Sequence, residues 1–150
     1  MRSYLPSSYR GTSISTSSSS WSSSSSTSIS TNSSAHERGF CFERLDVYRV
    51  AKEAVTIGIG ERHNLKGLPG EVASQFERAL TSTMANIAEG AGRETPKDQR
   101  RHYAIARGSA NEAGSHLILI GLYGGLTIEK YEAIRTRLIR VVQMLNAMIK

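Results

Sequence analysis

Apolar residues recur at intervals of three and four from about residue 42 to the C-terminus, the spacing that places them on one face of an α-helix. Stretches rich in glycine or proline interrupt this pattern three times. Helices are therefore predicted over about 42–58, over 71–91, from Pro96 to a turn at 124–126, and over 127–149. Because each has one apolar face and the connections are short, we expect an all-α, antiparallel up-and-down four-helix bundle.

The third predicted helix has a clear start and an unusual end. Thr95 is suited to cap it, Pro96 to occupy its first position, and Asp98 to lie in its acidic first turn. Beyond His116 the helix becomes apolar on every side, which is not typical of a helix on the surface of a monomer. We therefore predict that this part is buried between subunits, at an interface formed by Leu117, Ile118, Leu119, Ile120, Leu122 and Tyr123.

The N-terminal residues 1–38 differ in composition from the rest. They are dominated by serine and threonine, and TSIST at 12–16 recurs at 27–31. Such a segment buries too little apolar surface to offset the entropy cost of ordering, so it is predicted to be a disordered tail ahead of a bundle domain at 39–150. An inert appendage and a modified regulatory tail both remain open.

Charge and hydropathy restrict the class of protein. The formal net charge of +6 permits contact with nucleic acid or an acidic partner without requiring either. The longest apolar run, at 117–126, is half of the roughly 20 residues that a spanning helix needs, and no secretory signal is visible, so no membrane partner is expected. A single cysteine, Cys41, excludes an intramolecular disulfide and fits a cytoplasmic location.

Candidate chemistry is sparse. The glycines of EGAGR, Gly90 and Gly92, follow a predicted helix, whereas phosphate-binding glycine loops follow a strand, so a helix-ending turn is the preferred interpretation. Glu112 and His116 are four residues apart, but a di-iron bundle needs such a pair twice, so an ion pair or hydrogen bond is expected instead. His102 is expected in an exposed first turn. No catalytic residues, metal or cofactor are predicted.

A basic cluster is the remaining candidate for binding. It surrounds the turn into the third helix and consists of Arg93, Lys97, Arg100, Arg101 and Arg107. Nucleic-acid contact and an ordinary solvated charged face both explain it. Tyr103 is the only aromatic residue nearby in sequence, so sequence-specific recognition of single strands is not expected.

Three stretches, FERLDVYRVAKEAV, SQFERALTSTMANIAEGAGR and IARGSANEAGSHLI, occur in the order and spacing of a known family. They resemble the four-helix-bundle family of 23S ribosomal RNA intervening-sequence proteins over about residues 40–150. The family motif falls on Asn86, Ile87, Ala88, Glu89, Gly90, Gly92, Arg93, Gly108, Ser109 and Glu112.

The resemblance implies a bacterial homopentamer without established catalytic activity. It also implies similarity to the accessory variability determinant of diversity-generating retroelements, which binds nucleic acid and partners a reverse transcriptase. Two hypotheses follow for this chain. The first is a non-enzymatic oligomer that binds RNA or DNA backbone, or acts beside a nucleic-acid enzyme. The second is a purely structural or protein-interaction oligomer.

Overall fold

The computed structural model of the chain describes residues 39–150. The predicted tail, residues 1–38, lies outside the described residues. Four α-helices account for most of the described residues, and none of those residues forms a β-strand. The helices are α1 (Asp46–Gly60), α2 (Gly70–Ala91), α3 (Pro96–Leu122) and α4 (Ile128–Ile149), with single turns of 3-10 helix at Cys41–Arg44 and Asn64–Gly67.

Contacts between neighbouring helices show that the bundle is antiparallel. Gly90 near the end of α2 lies against Tyr103 near the start of α3, whereas Arg78 earlier in α2 meets Glu112 later in α3. In the same way α4 runs opposite to α1, which places Lys130 beside Glu61. Each helix packs against the next along the chain, and α1 closes the ring against α4. The predicted up-and-down four-helix bundle is confirmed.

The predicted helix signals are confirmed with small shifts at the first helix. Thr95 caps α3 by accepting a hydrogen bond from the Asp98 backbone N–H at 3.2 Å. The turn before α4 contains Gly124 at φ 69°, a left-handed conformation that favours glycine. The first helix begins at Asp46 rather than near residue 42, because Cys41–Arg44 forms a separate 3-10 turn.

The core consists of aliphatic and aromatic side chains from all four helices, and α3 contributes mainly small ones. Phe76, Leu80 and Ile87 of α2 are fully buried, whereas the buried positions of α3 include Ala106 and Ala110. Small residues on one helix allow the backbone of the next to approach closely. The α2–α3 pair consequently has the most extensive contact in the bundle.

The interface predicted at 117–123 needs a correction. Leu117 and Ile120 are almost wholly buried inside the bundle of a single chain, because they lie on the same face of α3 as Ala106 and Ala113. They are therefore unavailable to a second subunit. The other four predicted residues are exposed: Ile118, Leu119, Leu122 and Tyr123.

The role predicted for Gly90 is also wrong. Gly90 does not end α2; it is a buried helical residue, and a Cβ added there would lie 2.6 Å from the ring of Tyr103. Gly58 serves the same purpose between α1 and α2, where a Cβ would come within 2.5 Å of Leu80. Gly92 alone occupies the helix-ending position. Close helix packing, not turn formation, therefore explains the first glycine of EGAGR.

Gly90→Ala should lower the free energy of unfolding by about 1–2 kcal/mol, because the overpacking cost exceeds the gain in helix propensity. Gly108→Ala is the matched control, since Gly108 is also helical and a Cβ there meets nothing within 4 Å. That variant should be neutral or slightly more stable. Urea denaturation of both variants checks this, and equal stability for the two would contradict the packing explanation.

Candidate functional site

Polar side chains form a continuous line along the contact between α2 and α3, which we call the α2–α3 seam. Ser82 and Ser109 join the two helices by a hydrogen bond of 2.9 Å between their hydroxyls. Asn86 extends it by donating from Nδ2 to the Ser82 carbonyl at 2.9 Å. Arg78 and Glu112 form an ion pair across the helices at 3.4 Å. The seam is thus made by residues that lie about 30 positions apart in sequence.

The seam ends at a charged corner near the turn between the helices. Arg93 pairs with Glu89 one helical turn earlier, so its guanidinium is already neutralised in part. His102 contributes its Nε2 at 3.7 Å from the same Glu89 carboxylate. The prediction that His102 is exposed is wrong, because its side chain is only 16% exposed between the helices.

Beyond this corner, Lys97, Arg100 and Arg101 form the basic face of α3. Their spacing of three and four residues places them on one side of the helix, away from the buried Ala106 and Ala110. All three are exposed, and none forms an ion pair or side-chain hydrogen bond with the described residues. Arg107 extends this face toward α4, where its Nη1 donates to Asn146 Oδ1 at 2.9 Å.

The structure therefore divides the five predicted basic residues into two kinds. Arg93 and Arg107 are engaged by protein partners, while the residues of the basic face are free to meet an anion. Asp98, within the same turn, accepts a hydrogen bond from the Thr95 hydroxyl at 2.7 Å. The three unpaired cations lie within about one helical turn and repel one another. A bound phosphate would reduce the energy of this repulsion.

Tyr103, the one aromatic residue expected near the cluster, is unavailable to a ligand. It is 3% exposed, and its ring lies against Gly90. Burial raises the pKa of its phenol, and the nearby Cys41 raises it further. Tyr103 is a core residue at the contact between α2 and α3.

The expected pairing of Glu112 with His116 is not present. Glu112 turns to Arg78 instead, and His116 keeps a buried Nδ1 that has no hydrogen-bond partner in the part of the chain that the structure describes. Within residues 39–150, no three His, Cys, Asp or Glu side chains lie close enough together to hold a metal ion.

A second surface feature is an apolar groove between α3 and α4, which we call the α3–α4 groove. Its volume is about 480 Å³, and its walls include Gly114 and Ile118 of α3 with Ile139 and Val142 of α4. Ile118 and Ile139 are 55% and 43% exposed, so apolar surface faces solvent here. The groove combines residues from the predicted interface with residues of α4 that the sequence pattern did not single out.

Comparisons with known proteins agree with this architecture. The model of the family described as 23S rRNA-intervening sequence protein matches residues 43–147. The chain belongs to the 23S rRNA-intervening sequence protein family. A search of curated proteins finds no match.

A crystal structure of a family relative supports the fold assignment. It is a protein of unknown function from the S23 ribosomal protein family of Bacteroides thetaiotaomicron, 25% identical to this chain. The match covers 69% of this chain and 98% of the other, with a TM-score of 0.65. No helix within residues 39–150 is long and apolar enough to cross a membrane.

The family motif coincides with the α2–α3 seam. The motif residues named from the resemblance lie on both helices of the seam: Asn86 and Glu89 on α2, Ser109 and Glu112 on α3. Gly90 provides the close approach that allows the two halves of the motif to meet. The sequence identified the motif, but we did not predict that its two halves would contact each other. The helical spacing of the polar residues in each half was the signal that could have predicted this contact.

The Ser82–Ser109 hydrogen bond can be measured by a double-mutant cycle. Each single substitution by alanine should lower stability by about 1 kcal/mol, and the double variant should lose less than the sum because the two hydroxyls share one bond. Denaturation of the wild type and three variants gives the coupling energy. A coupling energy of zero would show that the bond adds nothing to the seam.

Proposed function

We propose that this family member is a non-enzymatic homo-oligomer that binds the phosphate backbone of nucleic acid through the basic face of α3. The observation that carries the proposal is the set of three exposed cations, Lys97, Arg100 and Arg101, without anionic partners in the described chain. Phosphate neutralisation by Lys and Arg supplies the main affinity in non-specific nucleic-acid binding.

The surface of the chain favours oligomerisation, and oligomerisation would in turn strengthen binding to nucleic acid. The α3–α4 groove and the exposed Ile118 and Leu122 provide apolar surface for contact with another copy. A ring of five copies, as the family resemblance suggests, would present the basic face five times to one ligand. Several weak contacts on one nucleic-acid strand then act together, which raises affinity without any new contact.

The exposed apolar surface also favours a second candidate, a purely structural or protein-interaction oligomer. In that case the basic face is a solvated surface, and only the groove is functional. The two candidates differ in one measurable respect, since phosphate binding weakens steeply as salt rises whereas contact between apolar surfaces does not.

Replacing both Arg100 and Arg101 by glutamate should abolish binding of nucleic-acid probes at low salt. The wild type should lose affinity linearly in log salt, with a slope of roughly −0.7 to −0.9 for each phosphate contacted. Fluorescence anisotropy with mixed RNA and DNA probes measures both. The mass by light scattering should be unchanged in the variant.

Lys52→Glu combined with Arg140→Glu is the matched control. It makes the same change in net charge at exposed positions of α1 and α4, away from the basic face. This control should retain most of the wild-type affinity. Equal loss in both double variants would indicate a general charge effect, and absence of binding by the wild type would contradict the proposal.

Ile118→Glu should reduce the assembly to single chains of 16.4 kDa, because a charge would then be buried in the contact between copies. Ile59→Glu is the control, since Ile59 is similarly exposed at 44% but lies on α1, outside the groove. Light scattering gives the masses. A monomeric wild type would contradict oligomerisation, while an oligomeric Ile118→Glu would exclude this surface as the interface.

A further inference from the structure

Three aromatic rings are in contact at the start of the described chain, and two of them are stacked. Phe40 and Phe42 lie nearly parallel, with ring centroids 5.2 Å apart and an interplanar angle of 6°. Phe42 in turn contacts Tyr48 of α1 at 4.7 Å. Phe42 and Tyr48 are half-buried, whereas Phe40 is 69% exposed. The Phe40–Phe42 stack therefore ends in a ring that the described residues leave largely uncovered.

The backbone holds Phe40 in place despite its exposure. The Phe40 N–H donates to the Glu43 carboxylate at 2.9 Å, and the Glu43 N–H donates to the Phe40 carbonyl at 3.0 Å. These reciprocal bonds tie the Phe40 backbone to the first residues of the 3-10 turn. A ligand that stacks on this ring thus meets an ordered surface and pays little of the entropy cost of arranging it.

The stack lies at the same end of the bundle as the basic face. Cys41, between the two phenylalanines, has its Sγ 3.9 Å from the carbonyl oxygen of Ala91 in α2. Ala91 is only two residues before Arg93, so the backbones of these two residues are at most about 7 Å apart.

An exposed ring at the same end of the bundle as unpaired cations has the composition of a surface that binds single strands. Such surfaces hold the phosphates with Lys and Arg and stack the bases on aromatic side chains, with little dependence on sequence. A duplex cannot use the ring in this way, because its bases are already stacked on one another. A surface that uses both Phe40 and the basic face should therefore bind a single strand more tightly than a duplex.

We propose that Phe40 is a stacking platform for a nucleobase, and that the ligand of the basic face is single-stranded nucleic acid. The inference rests on the proposed function, because the basic face supplies the phosphate contacts. It adds the requirement that at least one base is unpaired where the strand passes the Phe40–Phe42 stack.

The test compares Phe40→Leu with the wild-type full-length chain by fluorescence anisotropy. The probes are an oligothymidylate of about 16 nucleotides, the upper end of known single-strand site sizes, the same strand with abasic sugars, and a duplex of equal length. Loss of one base stack should weaken oligothymidylate binding by roughly five- to hundred-fold. Abasic-strand binding and the salt slope should not change, because the phosphate contacts remain.

Two variants serve as controls. Ile59→Ala removes an apolar side chain that is 44% exposed near the end of α1, away from the aromatic stack and the groove, and it should bind like the wild type. Phe40→Trp keeps a ring at the platform and should retain tight binding. Circular dichroism should show the same helix content in all variants, since Phe40 precedes the first helix.

The outcomes separate this inference from the proposed function. If Phe40→Leu binds oligothymidylate as tightly as the wild type while the Arg100 and Arg101 double variant does not bind, the stacking platform is wrong and the basic face stands. Tighter binding of the duplex than of the single strand would also overturn the inference. If the wild type binds none of the probes at low salt, the proposed function itself fails.

Discussion

The close approach of α2 to α3 determines how the rest of the bundle is arranged. Gly90 leaves room for the ring of Tyr103, and the buried face of α3 continues with the small residues Ala106 and Ala110. A Cβ at residue 90 would push the two helices apart at their connected end. The separation of this pair in turn sets where α1 and α4 can close the ring and which side chains reach across the seam.

The same constraint connects the core to the surface chemistry. Tyr103 faces inward against Gly90, and the buried stripe of α3 continues through Ala106 and Ala110, so Lys97, Arg100 and Arg101 remain exposed to solvent. Because the ends of α2 and α3 are held together, the 3-10 turn with Cys41 packs against Ala91 and brings the aromatic stack to the same end. Cations and exposed ring are thus positioned by packing, without any direct bond between them.

The two ends of α3 present different surfaces. Its first turns are basic and outward-facing, while its last turns expose Ile118 and Leu122 beside the α3–α4 groove. One helix can therefore contribute to ligand binding at one end and to subunit contact at the other. The two surfaces are several helical turns apart. Substitutions in the basic face should therefore affect binding, and substitutions beside the groove should affect assembly, independently of each other.

The sequence by itself determined the four helices, their antiparallel order, the Thr95 cap and the family motif, because helical periodicity and capping are properties of neighbouring residues. It also located the basic cluster. Only the tertiary structure decided that Gly90 serves packing, that Leu117 and Ile120 are core, that Glu112 pairs with Arg78, and that Cys41 lies against Ala91. These facts depend on the relative rotation and spacing of whole helices, which the packing of many side chains sets together and which the spacing within one segment does not specify.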